Sequence, residues 1–107
     1  MSSTSIHDDP ERRRLELRIG GDLAALITYG RQAGIVAICH TESEPGFKGL
    51  GYASQLVEHA LDEARRNGDA VMPFCSFAAR HIAERPEYVA LVPEQYRRSF
   101  EVAPAGA

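Results

Sequence analysis

Polar and apolar residues alternate along Arg14-Leu15-Glu16-Leu17-Arg18-Ile19, the period of a strand with one face in water. Gly20-Gly21-Asp22 reads as a turn, because glycine reaches the positive φ angles of tight hairpins. Leu23 to Tyr29 predicts a second strand and Gly30 to Gly34 another turn. Ile35-Val36-Ala37-Ile38-Cys39 is apolar throughout and predicts a central strand buried on both faces. The three strands form an expected antiparallel meander. The period then changes. Ala53, Leu56, Val57, Ala60, Leu61 and Ala64 recur at helical spacing, and Asn67-Gly68 is a helix stop. Ala70 to Phe74 predicts a short buried strand in which Pro73 removes a ladder donor. A sheet that splays there leaves room for something to lie between strands. A second helix is expected from Ser76 to Glu84, and a last one from Leu91 to Phe100 with Pro93 in its first turn. Residues 1–11 are polar, carry Pro10 and read as a flexible tail, with residues 12–107 as a single domain.

Composition narrows the function classes. The chain has 107 residues, 44% hydrophobic and 25% charged, with a net charge of −3. That is an ordinary globular balance, and it argues against a general nucleic-acid binder. No apolar run is long enough to cross a membrane, and Met1 to Ser5 lack the regions of a signal peptide. Two cysteines, Cys39 and Cys75, give neither a disulfide framework nor a zinc spacing, so no metal is expected. The setting this implies is a reducing cytoplasm with both thiols free.

The segment between the third strand and the first helix carries the chemistry. Gly46-Phe47-Lys48-Gly49-Leu50-Gly51-Tyr52-Ala53 is a glycine-rich turn that opens a helix. Backbone N–H groups at a helix N-terminus bind phosphate, and Gly49 and Gly51 have no side chain to block its approach. The plainer reading is a turn with capping glycines. Cys75 follows a strand and precedes a helix, an environment that favours thiolates. It reads as an acyl-accepting nucleophile, a hydrogen-bond partner or a small core residue. His40 ends the third strand. Strand alternation puts it on the face of Val36 and Ile38, opposite Cys39. Imidazole exchanges protons near neutral pH, so His40 is a candidate base, or else a histidine bonded to a loop carbonyl. Glu42 is the rival base. Cys39 is expected in the core with Ile35 and Ala37. His59 reads as solvated on the first helix. The run Arg12-Arg13-Arg14 reads as a solvated strand entry.

His40-Thr41-Glu42, the glycine loop, Pro73-Phe74-Cys75-Ser76-Phe77 and Pro86-Glu87-Tyr88 together resemble the GCN5-related N-acetyltransferases. The likeness covers about Leu15 to Val92 and is nearest to the very small subgroup that retains little beyond the acetyl-CoA-binding half. It implies an α/β (α+β) acyl-CoA N-acyltransferase fold, a mixed and largely antiparallel sheet flanked by two or three helices. It implies that Lys48, Gly49, Leu50, Gly51, Tyr52 and Ala53 hold the coenzyme A pyrophosphate. It implies further that the thioester lies by Val71, Phe74 and Cys75, with backbone N–H groups near Val71 to Phe74 polarising its carbonyl. Arg80, with His81 and Arg85, is expected to reach the coenzyme's phosphates or to be a solvated helix face. Tyr88 is either a proton donor to the leaving thiolate or a structural aromatic. One departure stands out: the superfamily pattern has Gln or Arg where this chain has Gly46, so that side chain's phosphate contact is missing.

The activity this implies is acetyl transfer from acetyl-CoA to a primary amine, a small molecule or a protein amine, directly or through Cys75. The alternative is an acetyl-CoA-binding module or sensor without independent catalysis. The short acceptor side leaves room for a homodimer or for a partner protein that completes it, and the oligomeric state is open.

Overall fold

The computed structural model describes residues 3–102. Met1 and Ser2 of the expected tail, and residues 103–107 of the expected domain, lie outside the described residues. Strands β1 (Thr4–Asp9), β2 (Arg14–Ile19), β3 (Asp22–Gln32) and β4 (Ile35–Ser43) precede helix α1 (Tyr52–Asn67). Strand β5 (Ala70–Pro73), helices α2 (Ser76–Ala83) and α3 (Pro86–Val89) and a 3-10 turn (Glu94–Tyr96) follow. The sheet order is β1-β2-β3-β4-β5, with every pair antiparallel except the parallel β4–β5 pair. This is the mixed, largely antiparallel sheet expected from the sequence.

α1 is the crossover that the parallel β4–β5 pair needs. Its apolar stripe buries Ala53, Leu56, Val57, Leu61 and Ala64. Against it pack Leu15, Leu17, Ile27, Ile38 and Val71 from the sheet and Ala78, Ile82, Val89 and Val92 from the C-terminal third, in one core. Gly68 ends α1 at φ 73°, and its N–H and that of Asp69 satisfy the carbonyls of Arg65 and Ala64. Arg65 and Arg66 in the last turn suit the negative end of the helix dipole.

Four expectations change. The tail is not loose from Thr4 to Asp9: β1 pairs with β2 from Thr4↔Ile19 to Asp9↔Arg14. Backbone pairing supplies this order, aided by Ile6 on the core and by the Tyr29 hydroxyl donating to Asp8. The third meander strand is buried on one face only. Val36 and Ile38 enter the core, but Ile35 is 41% exposed and Cys39 is exposed, because the helices all join the core on the other face. The last helix reduces to the 3-10 turn. Pro93 is extended at ψ 136°, and Glu101 adopts φ 58°. The short α3, with Pro86 at its start, has no counterpart among the expected elements.

Two buried ionisable groups shape stability. Glu16 lies between Arg14 and Arg18, with Nε of Arg14 donating at 2.8 Å and Nη2 of Arg18 at 3.0 Å. The Arg14 hydrogen bond, against the cost of burial, holds its carboxyl below 4.5. Its stabilisation is therefore present above about pH 4.5 and lost as pH falls further. His81 is 5% exposed, and its Nε2 has no hydrogen-bond partner among the described residues. Burial, and then the Arg85 charge, hold its imidazole below 6.5, outweighing the opposite pull of Glu58, Glu84 and Glu87. As pH drops below 6.5 the unfolded chain takes up this proton and the folded chain does not, so folding weakens. The urea midpoint is expected to be lower at about pH 5.5 than at about pH 7.5, above the Glu16 window. His81→Leu should shrink that difference. A variant with an unchanged difference would show that His81 is not its source.

Candidate active site

The site begins where β4 and β5 part. Their register runs from Ile35↔Ala70 to Ile38↔Pro73 and ends there. Pro73 has no N–H to extend the ladder. The N–H of Cys75 makes the last bridge, to the Ile38 carbonyl at 3.1 Å. β4 continues from Cys39 to Ser43, paired only with β3. The β3–β4 register also shifts: Tyr29 faces Ile38 but Thr28 faces His40, leaving Cys39 as the extra residue of a β-bulge. The sheet thus opens into a cleft between the end of β4 and the start of α2.

The bulge corrects the expected placement of His40 and Cys39. One extra residue inverts the alternation. His40 and Glu42 now lie on the face opposite the core, with Nε2 of His40 3.9 Å from Oε2 of Glu42, and both are exposed. Thr41 takes the core side opposite Ile27. Cys39 is exposed rather than buried with Ile35 and Ala37. Cys75 is half-buried at the N-cap of α2, where its thiol donates across the cleft to Oγ1 of Thr41 at 3.3 Å. His40 and Cys75 therefore stand on opposite faces of β4. The sequence reading missed Thr41 as a cleft residue. Its signal was adjacency to His40, hidden by the unforeseen bulge.

The glycine loop follows β4 and leads into α1. Gly46, Gly49 and Gly51 have φ of 90°, 78° and 83°. Gly51 is the N-cap of α1, with no side-chain cap and no acidic residue in the first turn. Among the described residues, no backbone N–H from Lys48 to Ser54 donates to a protein group. A Cβ built on Gly49 or Gly51 meets nothing within 4 Å, so positive φ, not crowding, requires glycine there. Tyr52 packs edge-on against Phe47 at 6.1 Å and braces the loop, while Lys48 and Leu50 are exposed and Ala53 is in the core. The result is a bare positive helix end beside an open strand.

The other expected site residues are placed as follows. Val71 is buried, and its N–H donates to the Leu91 carbonyl. The N–H of Phe74 donates to the Met72 carbonyl, so the N–H groups of Val71, Phe74 and Cys75 all have partners within the protein. Phe74 is 61% exposed and meets Phe100 edge-on. Arg80 is exposed on α2 in a depression shared with Ser76, Phe100 and Glu101. Tyr88 is buried and donates to Asp62 at 2.8 Å under the Arg65 guanidinium. Burial and that carboxylate push its hydroxyl pKa well up, as suits a structural aromatic. His59 lies on α1 at 3.4 Å from Glu63. Among the described residues no cluster of three His, Cys, Asp or Glu side chains could hold a metal ion. No described helix is long and apolar enough to cross a membrane.

Comparison with known proteins gives this geometry a context. The family described as GCN5-related N-acetyl-transferase matches residues 14–92. A GCN5-like protein from Staphylococcus aureus, solved by NMR, superposes with a TM-score of 0.64 at 24% identity, over 87% of this chain and 91% of that one. The crystal structure of the ribosomal-protein-S18-alanine N-acetyltransferase from Escherichia coli superposes at 0.53 and 23% identity, over 60% of this chain. The match spans only 43% of the Escherichia coli enzyme. At these identities both likenesses bear on the fold alone. No protein of curated function matches the sequence.

Inorganic pyrophosphate is a minimal probe of the helix end. It is expected to shift the amide resonances of Lys48 to Ala53, and Gly49→Asp, which adds a like charge there, should abolish the shifts. Shifts that survive in Gly49→Asp would place the anion elsewhere.

Proposed function

The chain belongs to the GCN5-related N-acetyltransferase family, and we propose that it transfers an acetyl group from acetyl-CoA to a primary amine. One observation carries this reading: the sheet opens beside a helix N-terminus that has neither cap nor acid. The free N–H groups from Lys48 to Ala53 suit a pyrophosphate, with Lys48 adding charge and Arg80 suited to a further phosphate. Gly46 offers no side chain to that anion, so the backbone carries its binding. The opened edge of β4 suits an extended pantetheine arm lying where a strand would, which places the thioester beside the bulge.

In the simplest mechanism the amine attacks the thioester directly. A new C–N bond forms as the C–S bond breaks. Of the three protons of the incoming ammonium, one passes to His40, one to the departing thiolate, and one stays on the amide. The geometry favours this route over transfer through Cys75. An acyl-accepting thiol is activated by a helix N-terminus or by a base within hydrogen-bond reach, and only the first is offered to Cys75. Cys75 instead meets the Thr41 hydroxyl, and His40 stands on the other face of β4. Thr41 and Cys75 then line the thioester's path. A sensor would bind acetyl-CoA equally well but release no thiol when offered amines.

Calorimetry with acetyl-CoA, and with free coenzyme A for comparison, tests the reading first. Binding is expected at roughly micromolar concentrations. No binding of either ligand would overturn both the enzyme and the sensor readings. His40→Gln should lower kcat by about 10²-fold while leaving acetyl-CoA binding intact. Cys75→Ala should keep turnover within about tenfold, whereas complete loss of activity with acetyl-CoA binding intact would favour the covalent route.

A further inference from the structure

The sheet face turned away from α1 carries an open recess of its own, of about 580 Å³. That volume suits a small molecule. Its floor is flat and apolar, formed by Gly30 of β3, Ala37 of β4 and Met72 of β5, with Phe74 as a wall. Arg13, in the β1–β2 turn, also lines it, and no carboxylate does; Arg31 of β3 borders it but sends its side chain to Glu63 on the α1 side.

The neighbouring arginines differ from Arg13. Arg14 and Arg18 close on Glu16, Arg12 lies 3.7 Å from Asp9, and Arg31 lies 3.4 Å from Glu63. Arg13 has no ion-pair partner among the described residues. Its backbone is held at φ 53°. Its N–H donates to the Pro10 carbonyl at 3.2 Å, and its own carbonyl accepts from Tyr29 at 3.0 Å. Glycine would occupy that position without strain. A strained, unpaired cation thus faces a recess that holds no acid.

The recess leads towards the transfer cleft. Phe74 directly precedes Cys75, and the register places Ala37 and His40 on the same face of β4, opposite Gly30 and Thr28. The strand from Ile35 to Cys39 covers roughly 13 Å, the length of a small extended molecule. Resting on the acetyl-transfer reading, we infer that this recess is the acceptor site and that the acceptor is a small amine whose apolar body ends in an anion. The amine lies at the His40 end. The anion, a carboxylate or a phosphate, is held by Arg13. The acyl donor enters from the α1 side of the sheet and the acceptor from the other, and they meet at the bulge.

The probes are 6-aminohexanoate and 6-aminohexyl phosphate, with n-hexylamine as the uncharged-tail control. In the full chain without acetyl-CoA, the two anionic amines should shift the amide resonances of Gly30, Ala37 and Phe74 more than n-hexylamine does. With acetyl-CoA, kcat/KM for at least one of them should exceed that for n-hexylamine by about tenfold or more. The better of the two identifies the anion. Arg13→Gly relieves the positive φ, so its thermal midpoint should be no lower than that of the parent, while the preference should fall to near one. A merely structural Arg13 would not move that ratio. Equal or better use of n-hexylamine, a preference that survives Arg13→Gly, or no shifts in the recess would each overturn the assignment. Failure of acetyl-CoA to bind would instead overturn the acetyl-transfer reading, and the shifts would still decide the recess's ligand.

Discussion

The end of pairing between β4 and β5 is the constraint on which the rest of the site depends. Two features meet there from opposite sides. Pro73 has no N–H to offer β4, and the extra residue Cys39 bends β4 away. The single bond from Cys75 to Ile38 then closes the ladder and sets where the cleft begins. A longer β5 paired up to Ser43 would give a sounder sheet with no room between its strands. The hydrogen bonds forgone at this point are what leave the edge of β4 unpaired by β5 beyond Ile38.

The cleft also joins two chemically different faces. On the core side, Thr41, Cys75 and the bare N-terminus of α1 supply a polar lining and a positive helix end. On the open side lie His40, Glu42 and an apolar recess bordered by Arg13. The backbone of β4 separates the two sets, and they communicate only through the gap. An overall charge of −3 gives no hint of this local arrangement. The acids that dominate the sum are elsewhere, many of them paired within the protein, as Glu16 and Asp62 are.

Much of the framework was legible in the residues. The stripe from Ala53 to Ala64 and the stop at Asn67-Gly68 specify α1, because helical periodicity and a left-handed glycine act locally. The glycine loop was legible for the same reason. The faces of β4 were not. A period-two argument carries no information about a single inserted residue, and that residue moved His40 from the core side to the open side. β1 was hidden because Ile6 is its only large apolar side chain, and its order comes from backbone bonds to a partner strand. Commitment of the Val71 donor to Leu91 was likewise invisible, since it depends on how distant segments pack.

The single parallel strand has a consequence for how the molecule is assembled. β1 to β4 form a meander whose partners are near neighbours in sequence, so each hairpin closes a short loop. β5 can join only after α1 has crossed the sheet, and its outer edge is then covered by Leu91. The cleft lies on the seam between the early, local part and the late, long-range part. A ligand that bridges the glycine loop, β4 and α2 would therefore bind only the fully assembled chain. By mass action, its concentration would set how much of the chain remains assembled.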